Sequence, residues 1–104
     1  MSVMEKPLLT RTVYLHLIVS ALLDNHLKEI QGSVDAEEFD EFRRVTGRIM
    51  GEIYTSVLAK IWSEHKELNP TLIGGDFEVD TIVQERAIVF VEELLNHLDD
   101  SIDQ

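Results

Sequence analysis

The chain has 104 residues, 44% of them apolar, with 20 acidic against 9 basic side chains, a net charge of −11 and no cysteine. This length suits one domain rather than two, and the apolar content argues against wholesale disorder. The lack of cysteine excludes a disulfide framework, a thiolate zinc site and a cysteine nucleophile. We therefore expect one domain over residues 1–104, with residues 99–104 forming a frayed acidic tail.

The charge and the N-terminal sequence also restrict the partners. Binding to nucleic acid or to an anionic membrane surface requires clustered Lys and Arg, which a net charge of −11 disfavours. The apolar run at residues 13–23 is too short to cross a bilayer and is wrongly placed for a signal peptide. We expect a soluble, cytoplasmic protein whose acidic surface suits solubility or docking to a basic protein partner.

The first predicted element is a helix over residues 8–31, with a proline suited to its first turn and Gly32 suited to its end. At about 100° per residue its centre is apolar on nearly every side, which is typical of a helix in the middle of a packed structure. Only His16, Ser20 and Asp24 interrupt the apolar surface. A hydrolase triad needs His between Ser and Asp, so we interpret this strip as a polar seam.

The second predicted helix begins at Ser33 or Asp35, either of which can cap it, and continues to about residue 68, where Asn-Pro stops it. Its apolar stripe advances by slightly more than 3.6 residues per turn and so winds around the helix. This winding predicts either a bend or different neighbours at the two ends. Gly47 and Gly51 mark the expected position of a bend or close approach.

The third predicted helix is capped by Asp76 or Asp80 and runs to about Asp100. No run of alternating residues predicts a strand. The expected fold class is therefore all-α, with three long helices, or four if the second breaks near Gly47 and Gly51. We expect a helical bundle that dimerisation completes. The apolar face of the third helix is broad and comprises Val83, Ala87, Phe90, Val91, Leu94, Leu95 and Leu98.

Three helices of about 30–50 Å are long for a small monomer, and two neighbours leave part of the first helix uncovered. Exposed apolar patches of this kind mark interfaces, and a twofold dimer is the commonest arrangement that covers them. We therefore predict a homodimer with the first helix in the interface. The predicted interface residues are Val13, Leu15, Leu17, Ile18, Val19, Leu22 and Leu23.

Two acidic pairs, Glu38 with Glu41 and Glu64 with Glu67, are separated by 22 residues. This pattern resembles the magnesium-binding carboxylates of the all-α nucleotide pyrophosphohydrolases, a resemblance that implies a small carboxylate metal-dependent enzyme. The family ends its second pair with Asp, whereas this chain has Glu. Both pairs also lie on one predicted helix, too far apart to share an ion unless the helix breaks sharply.

The leading functional prediction is a protein-interaction module that acts by binding, in an adaptor, antitoxin or immunity-type role. We assign no catalytic residue, metal ligand or cofactor, because no cluster has convincing geometry. An acidic inhibitor that mimics nucleic acid is one alternative, and it requires acids clustered on one surface. Here the acids are spread over all three helices with Arg and Lys among them. The carboxylate enzyme is the other alternative.

Overall fold

A computed structural model describes residues 5–68 and 78–102, except for the side chains of 99–102. Every regular element in these ranges is helical, and none is a strand, so the all-α prediction is confirmed. Three long helical segments are present, because the second contains three consecutive elements. The elements are α1 (Lys6–Gln31), α2 (Ala36–Glu52), a π-helical segment (Ile53–Leu58), α3 (Ala59–Glu64), a 3-10 turn (Lys66–Leu68) and α4 (Thr81–Ile102).

Helix α1 begins and ends where the sequence predicts, within two residues. Pro7 lies in its first turn, where the missing N–H costs no helical hydrogen bond. Gly32 follows its last residue with φ −86° and ψ −5°, which is right-handed backbone open to any residue. The N–H of Gly32 donates to the carbonyl of Glu29. The helix therefore ends here without using the conformational freedom of glycine.

Aspartates cap the other two long helices. The Asp35 carboxylate accepts from the Glu38 N–H at 2.8 Å, which selects Asp35 from the two predicted caps of α2. The Oδ1 atom of Asp80 accepts hydrogen bonds from the backbone N–H groups of Ile82 and Val83, at 3.0 and 3.3 Å. Asp80 is thus a cap of α4, and the other predicted cap, at position 76, lies outside the described residues.

The second helix stays helical through both glycines and widens just after them. Gly47 and Gly51 lie inside α2, so the sharp break allowed by the sequence is not present. In the following π-helical segment the Ala59 N–H donates to Tyr54, five residues back. The Thr55 hydroxyl donates to the Gly51 carbonyl at 2.8 Å and so competes for a backbone acceptor. The wide turn accommodates the winding of the apolar stripe seen in the sequence.

Helix α1 lies between its two neighbours. It packs against α2 and the π-helical segment on one flank and against α4 on the other, and α2 does not pack substantially on α4. Helix α2 returns antiparallel after a short turn. Helix α4 runs parallel to α1, because the Asp80 N–H donates to the Tyr14 hydroxyl at 2.7 Å and the Asn25 amide donates to Glu92 at 3.3 Å. The result is an open layer of three helices.

The core lies at one end of this layer. Among the described residues only Leu9, Val13, Leu58 and Leu68 are buried apolar side chains, each at most 2% exposed. The radius of gyration is 16.2 Å, against about 13 Å for a compact domain of this length. The chain is therefore extended, and it buries few of its apolar side chains by itself.

Two further predictions concern the ends of the chain and membranes. Helix α4 continues to Ile102, into the range 99–104 for which a frayed tail is expected, and residues 103–104 lie outside the described part. In the ranges that the structure describes, none of the helices combines the length and hydropathy that a membrane crossing requires.

Candidate protein interaction surface

Helix α4 carries two apolar stripes, and only one of them is covered. Ile88 and Val91 are half-buried on the side of α1. Exposed apolar residues follow at spacings of seven and four residues, which keeps them within about 40° of one another. These residues are Val83, Phe90 and Leu94, with exposed fractions of 48, 62 and 55%. Four other apolar side chains of α4 are at least half exposed in further directions, so its one neighbour covers only part of its apolar surface; they are Ile82, Val89, Leu95 and Leu98.

Helix α2 has the same division. Phe39, Thr46 and Met50 are half-buried on the side of α1. A second stripe of apolar side chains, Phe42, Val45 and Ile49, is exposed by 45 to 52%. Since the two stripes lie about 80° apart around the helix, the exposed one adjoins the packed one. This second stripe also has no neighbour in the described part of the chain.

The two exposed stripes lie on the same side of the layer. On each helix, the exposed stripe lies about 80–100° around the helix axis from the residues that face α1. When each helix is viewed from its first residue, this rotation has the same direction in both. Helices α2 and α4 run in opposite directions on opposite flanks of α1, so equal rotations bring both stripes to one side. Leu15 and Leu22 lie on this side of α1. We name this surface the open face, comprising Leu15, Leu22, Phe42, Val45, Ile49, Val83, Phe90 and Leu94.

The opposite side of the layer is charged. Asp40 accepts hydrogen bonds from the guanidinium groups of Arg43 and Arg44, the second at 3.1 Å, and these bonds lower the pKa of the Asp40 carboxyl. On α1, Lys28 pairs with Asp24 at 3.2 Å. The layer is thus amphipathic as a whole, with one side suited to water and the other to a protein surface.

The predicted interface residues of α1 divide into three groups. Val13 is fully covered by the chain's own core, and Leu17 packs against that core. Leu15 is 56% exposed and lies on the open face. The remaining four residues are half-buried, and they are Ile18, Val19, Leu22 and Leu23. The structure therefore brings Leu15 and Leu22 together on one surface and directs Val13 elsewhere.

The polar seam of α1 does not assemble into a catalytic arrangement. The His16 Nδ1 donates to the Thr12 carbonyl at 2.7 Å, and Asp24 pairs with Lys28. The Ser20 hydroxyl is buried and has no hydrogen-bond partner in the described part of the structure. None of the three seam residues therefore activates another.

The two acidic pairs remain far apart. Glu38 and Glu41 lie at the start of α2, whereas Glu64 ends α3 and Glu67 lies in the 3-10 turn. With helical backbone between them, the pairs are separated by about 35 Å, too far to share one ion. The pKa of the Glu67 carboxyl is lowered, chiefly by a hydrogen bond to its own backbone. Across residues 5–68 and 78–102, no group of three His, Asp or Glu side chains is placed to hold a metal ion.

Comparison with known proteins adds no family: the chain matches no family model, no curated protein and no solved structure. The functional argument therefore depends on the open face itself.

Sequence reasoning missed the part of the open face that α2 and α4 supply. The predicted interface residues all lie on α1. The signal was the breadth of the α4 face, because residues at positions 83, 90 and 94 and residues at 88 and 91 point in directions about 100° apart. One neighbouring helix covers only one of these directions.

Proposed function

We propose that the chain is a protein-interaction module that works as a homodimer, in which two open faces pack against each other. The observation that carries this proposal is the continuity of the open face across all three helices. Single exposed apolar side chains are normal on protein surfaces, whereas a contiguous patch marks a binding site. Pairing with a second copy covers this patch with a surface of the same kind.

The amount of exposed surface supports a second copy as the occupant. The chain exposes 7812 Å², whereas a monomeric protein of 11.9 kDa exposes about 6,000 Å². The excess is about 1,800 Å² per chain, and a standard interface takes about 800 Å² from each partner. The surplus is therefore ample for a stable homodimer.

The energetics agree with association at ordinary protein concentrations. Burying one large aliphatic or aromatic side chain contributes about 1.5–3 kcal/mol, and association costs about 4–15 kcal/mol of lost freedom. The open face supplies eight such side chains, six of them at least 45% exposed on α2 and α4. We expect a dissociation constant in the micromolar range or tighter.

In this proposal the charged sides of both layers remain in water, on the outside of the dimer. A net charge of −11 per chain favours a basic protein as a further partner over nucleic acid or an anionic membrane surface. An adaptor, antitoxin or immunity-type role in the cytoplasm fits a module that acts by binding alone.

The test is sedimentation of the unmodified chain together with two neighbouring substitutions. Phe90→Glu places a charge in the open face and is expected to give a helical monomer. Val89→Glu is the matched control, because Val89 is 52% exposed beside Phe90 but points about 100° away from the open face. This variant is expected to stay dimeric. Leu15→Glu, on α1, is expected to behave like Phe90→Glu.

The proposal is wrong if the unmodified chain sediments as a monomer at about 100 μM, well above the expected dissociation constant. It is also wrong if Phe90→Glu and Val89→Glu shift the dissociation constant equally. Far-UV circular dichroism of each variant separates loss of association from loss of the helices.

A further inference from the structure

The outer edges of the open face carry opposite charges at matching spacings. On α4, Arg86 and Glu93 are seven residues apart and lie on the flank turned away from α1. On α2, Glu41 and Arg48 are likewise seven residues apart on the outer flank. None of the four makes an ion pair with another described residue, whereas Arg43 and Arg44 both pair with Asp40. Each edge therefore has one positive and one negative charge at this spacing, and the α2 edge also carries the acidic residues Glu37 and Glu52.

The helix register places these charges at common heights along α1. Each residue of α4 lies level with the α1 residue that is 66 to 67 positions earlier in the sequence. The Tyr14–Asp80 and Asn25–Glu92 hydrogen bonds show this register. Helix α2 runs back along α1 from the turn that follows Gln31. By this register Arg86 and Arg48 both lie level with α1 position 19. Glu93 and Glu41 both lie level with position 26.

We propose that the second copy packs antiparallel, with the twofold axis crossing the layer at the height of Leu22, Val45 and Val89. This arrangement rests on the proposed homodimer and specifies its geometry. The axis passes midway between the two heights of charge. It therefore brings Arg86 of one copy to Glu93 of the other on one edge, and Glu41 to Arg48 on the other edge. Glu37 and Glu52, nearer the ends of α2, meet each other across the same axis, so four attractive contacts outnumber two repulsive ones.

The other symmetric arrangement, with the twofold axis along α1, has the opposite electrostatics. It lays α4 of one copy over α2 of the other at equal heights. Arg86 then meets Arg48 and Glu93 meets Glu41, so both of these contacts join like charges. Charges flanking an apolar seam commonly select the orientation of packed helices, and here they select the antiparallel one.

Overlap of the helices favours the same axis. Helix α2 extends from the height of position 31 to that of position 15, and α4 begins near the height of Tyr14. The part of the open face to which all three helices contribute is centred near position 23. An antiparallel axis at this height superimposes the three-helix part of one copy on that of the other.

Single cysteines test the axis directly, because the chain has no cysteine of its own. Val45→Cys is expected to crosslink to its copy with a bismaleimide that spans about 10 Å, the distance between packed helix axes. Val83→Cys is the matched control: both valines are about half exposed, at 52 and 48%. Val83 lies more than six residues from the axis height, so its copy is about 20 Å away and is not expected to react.

Leu15→Cys distinguishes the two axes. With the axis along α1, Leu15 faces its own copy and crosslinks, whereas in the antiparallel dimer the two copies are about 22 Å apart. Crosslinking of Val45→Cys without Val83→Cys or Leu15→Cys supports the proposal. A dimer in which Leu15→Cys crosslinks, or in which Val45→Cys does not, overturns the arrangement and leaves the homodimer standing. A monomeric chain overturns both.

A charge swap provides a second readout. Arg86→Glu is expected to weaken the dimer about tenfold at low salt, because two attractive contacts become repulsive. The double variant Arg86→Glu/Glu93→Arg is expected to recover an affinity within about threefold of the unmodified chain. Lys28→Glu changes the net charge equally on the charged side of the layer and serves as the control. Failure of the double variant to recover, with Lys28→Glu unchanged, overturns the antiparallel pairing.

Discussion

The two ends of α1 have similar apolar content but different surroundings. Near its start, Leu9 and Val13 are at most 2% exposed, because Leu58 and Leu68 close over them as a third cover. From residue 14 to residue 31, by contrast, no apolar side chain of α1 is fully buried, although the helix has a neighbour on either flank. Two flanking helices therefore do not bury an all-round apolar helix. What the second half lacks is a covering layer, which the second copy supplies in the proposed homodimer.

The largest expected effect is at the closed end. Leu58→Ala leaves a cavity in the only cluster of fully buried side chains among the described residues, and a loss of about 2–5 kcal/mol of unfolding free energy is expected. Ile82→Ala, at a position 60% exposed and off the open face, is expected to cost less than about 0.5 kcal/mol. Urea unfolding at one fixed protein concentration measures both. Equal losses would contradict the contrast between the two ends.

Removing the cap of α4 is expected to have a smaller effect. Asp80→Ala removes the acceptor of two N–H groups and is expected to cost about 1 kcal/mol. Asp80→Asn keeps an accepting oxygen, so its loss of unfolding free energy is expected to be only a few tenths of the loss in Asp80→Ala. Thermal unfolding followed by circular dichroism measures the difference. If the two variants were equally destabilised, the carboxylate would act through charge rather than as a cap.

A glycine on the charged side tests whether that side is free. A Cβ at Gly47 has no atom within 4 Å, and the position is inside a helix. Gly47→Ala is therefore expected to raise the unfolding free energy by about 0.5–1 kcal/mol, with no change in the dimer constant. Weaker association on this substitution would place a partner helix on the charged side, against the proposed arrangement.

The smallest expected effect concerns Asp40, whose pKa its two arginine partners lower. A carboxyl group with a lower pKa in the folded state stabilises the fold above its unfolded pKa, and this contribution is lost as the pH falls through the folded value. Replacing Arg43 and Arg44 by Gln is expected to return the Asp40 pKa to its usual range. NMR titration of the carboxyl carbon measures it. An unchanged pKa would exclude the arginines as its cause.

The helices and their caps follow from local sequence signals. These signals act within one or two helical turns, so they can be recognised without knowing the fold. They are the spacing of apolar residues, Pro7 and the capping side chains of Asp35 and Asp80. The side of α1 that the chain leaves open cannot be read in this way, because an all-round apolar helix gives no angular preference. It depends on where residues 66–68 pack against α1, which is a contact between residues far apart in the sequence.

The π-helical segment was also beyond local reasoning. Gly47 and Gly51 marked the region, but the widening begins at Ile53, where the Thr55 hydroxyl competes for a backbone acceptor. Glycine spacing does not predict this competition. The winding of the apolar stripe predicted either a bend or different neighbours at the two ends of the second helix. Both α2 and the π-helical segment pack against α1, and the winding did not indicate the widened turn between them.

The wide turn at Ile53–Leu58 has a consequence for how sequences with this fold should be aligned. A π-helical turn contains one residue more than the α-helical turn that it replaces. A one-residue alignment gap placed here shifts the positions of α3 around the helix axis, relative to those of α2, by about 100°. The helix itself stays unbroken. Alignments that forbid gaps inside helices would pair Leu58 with the wrong position. The π-helical segment is therefore the natural place for a length difference within this fold.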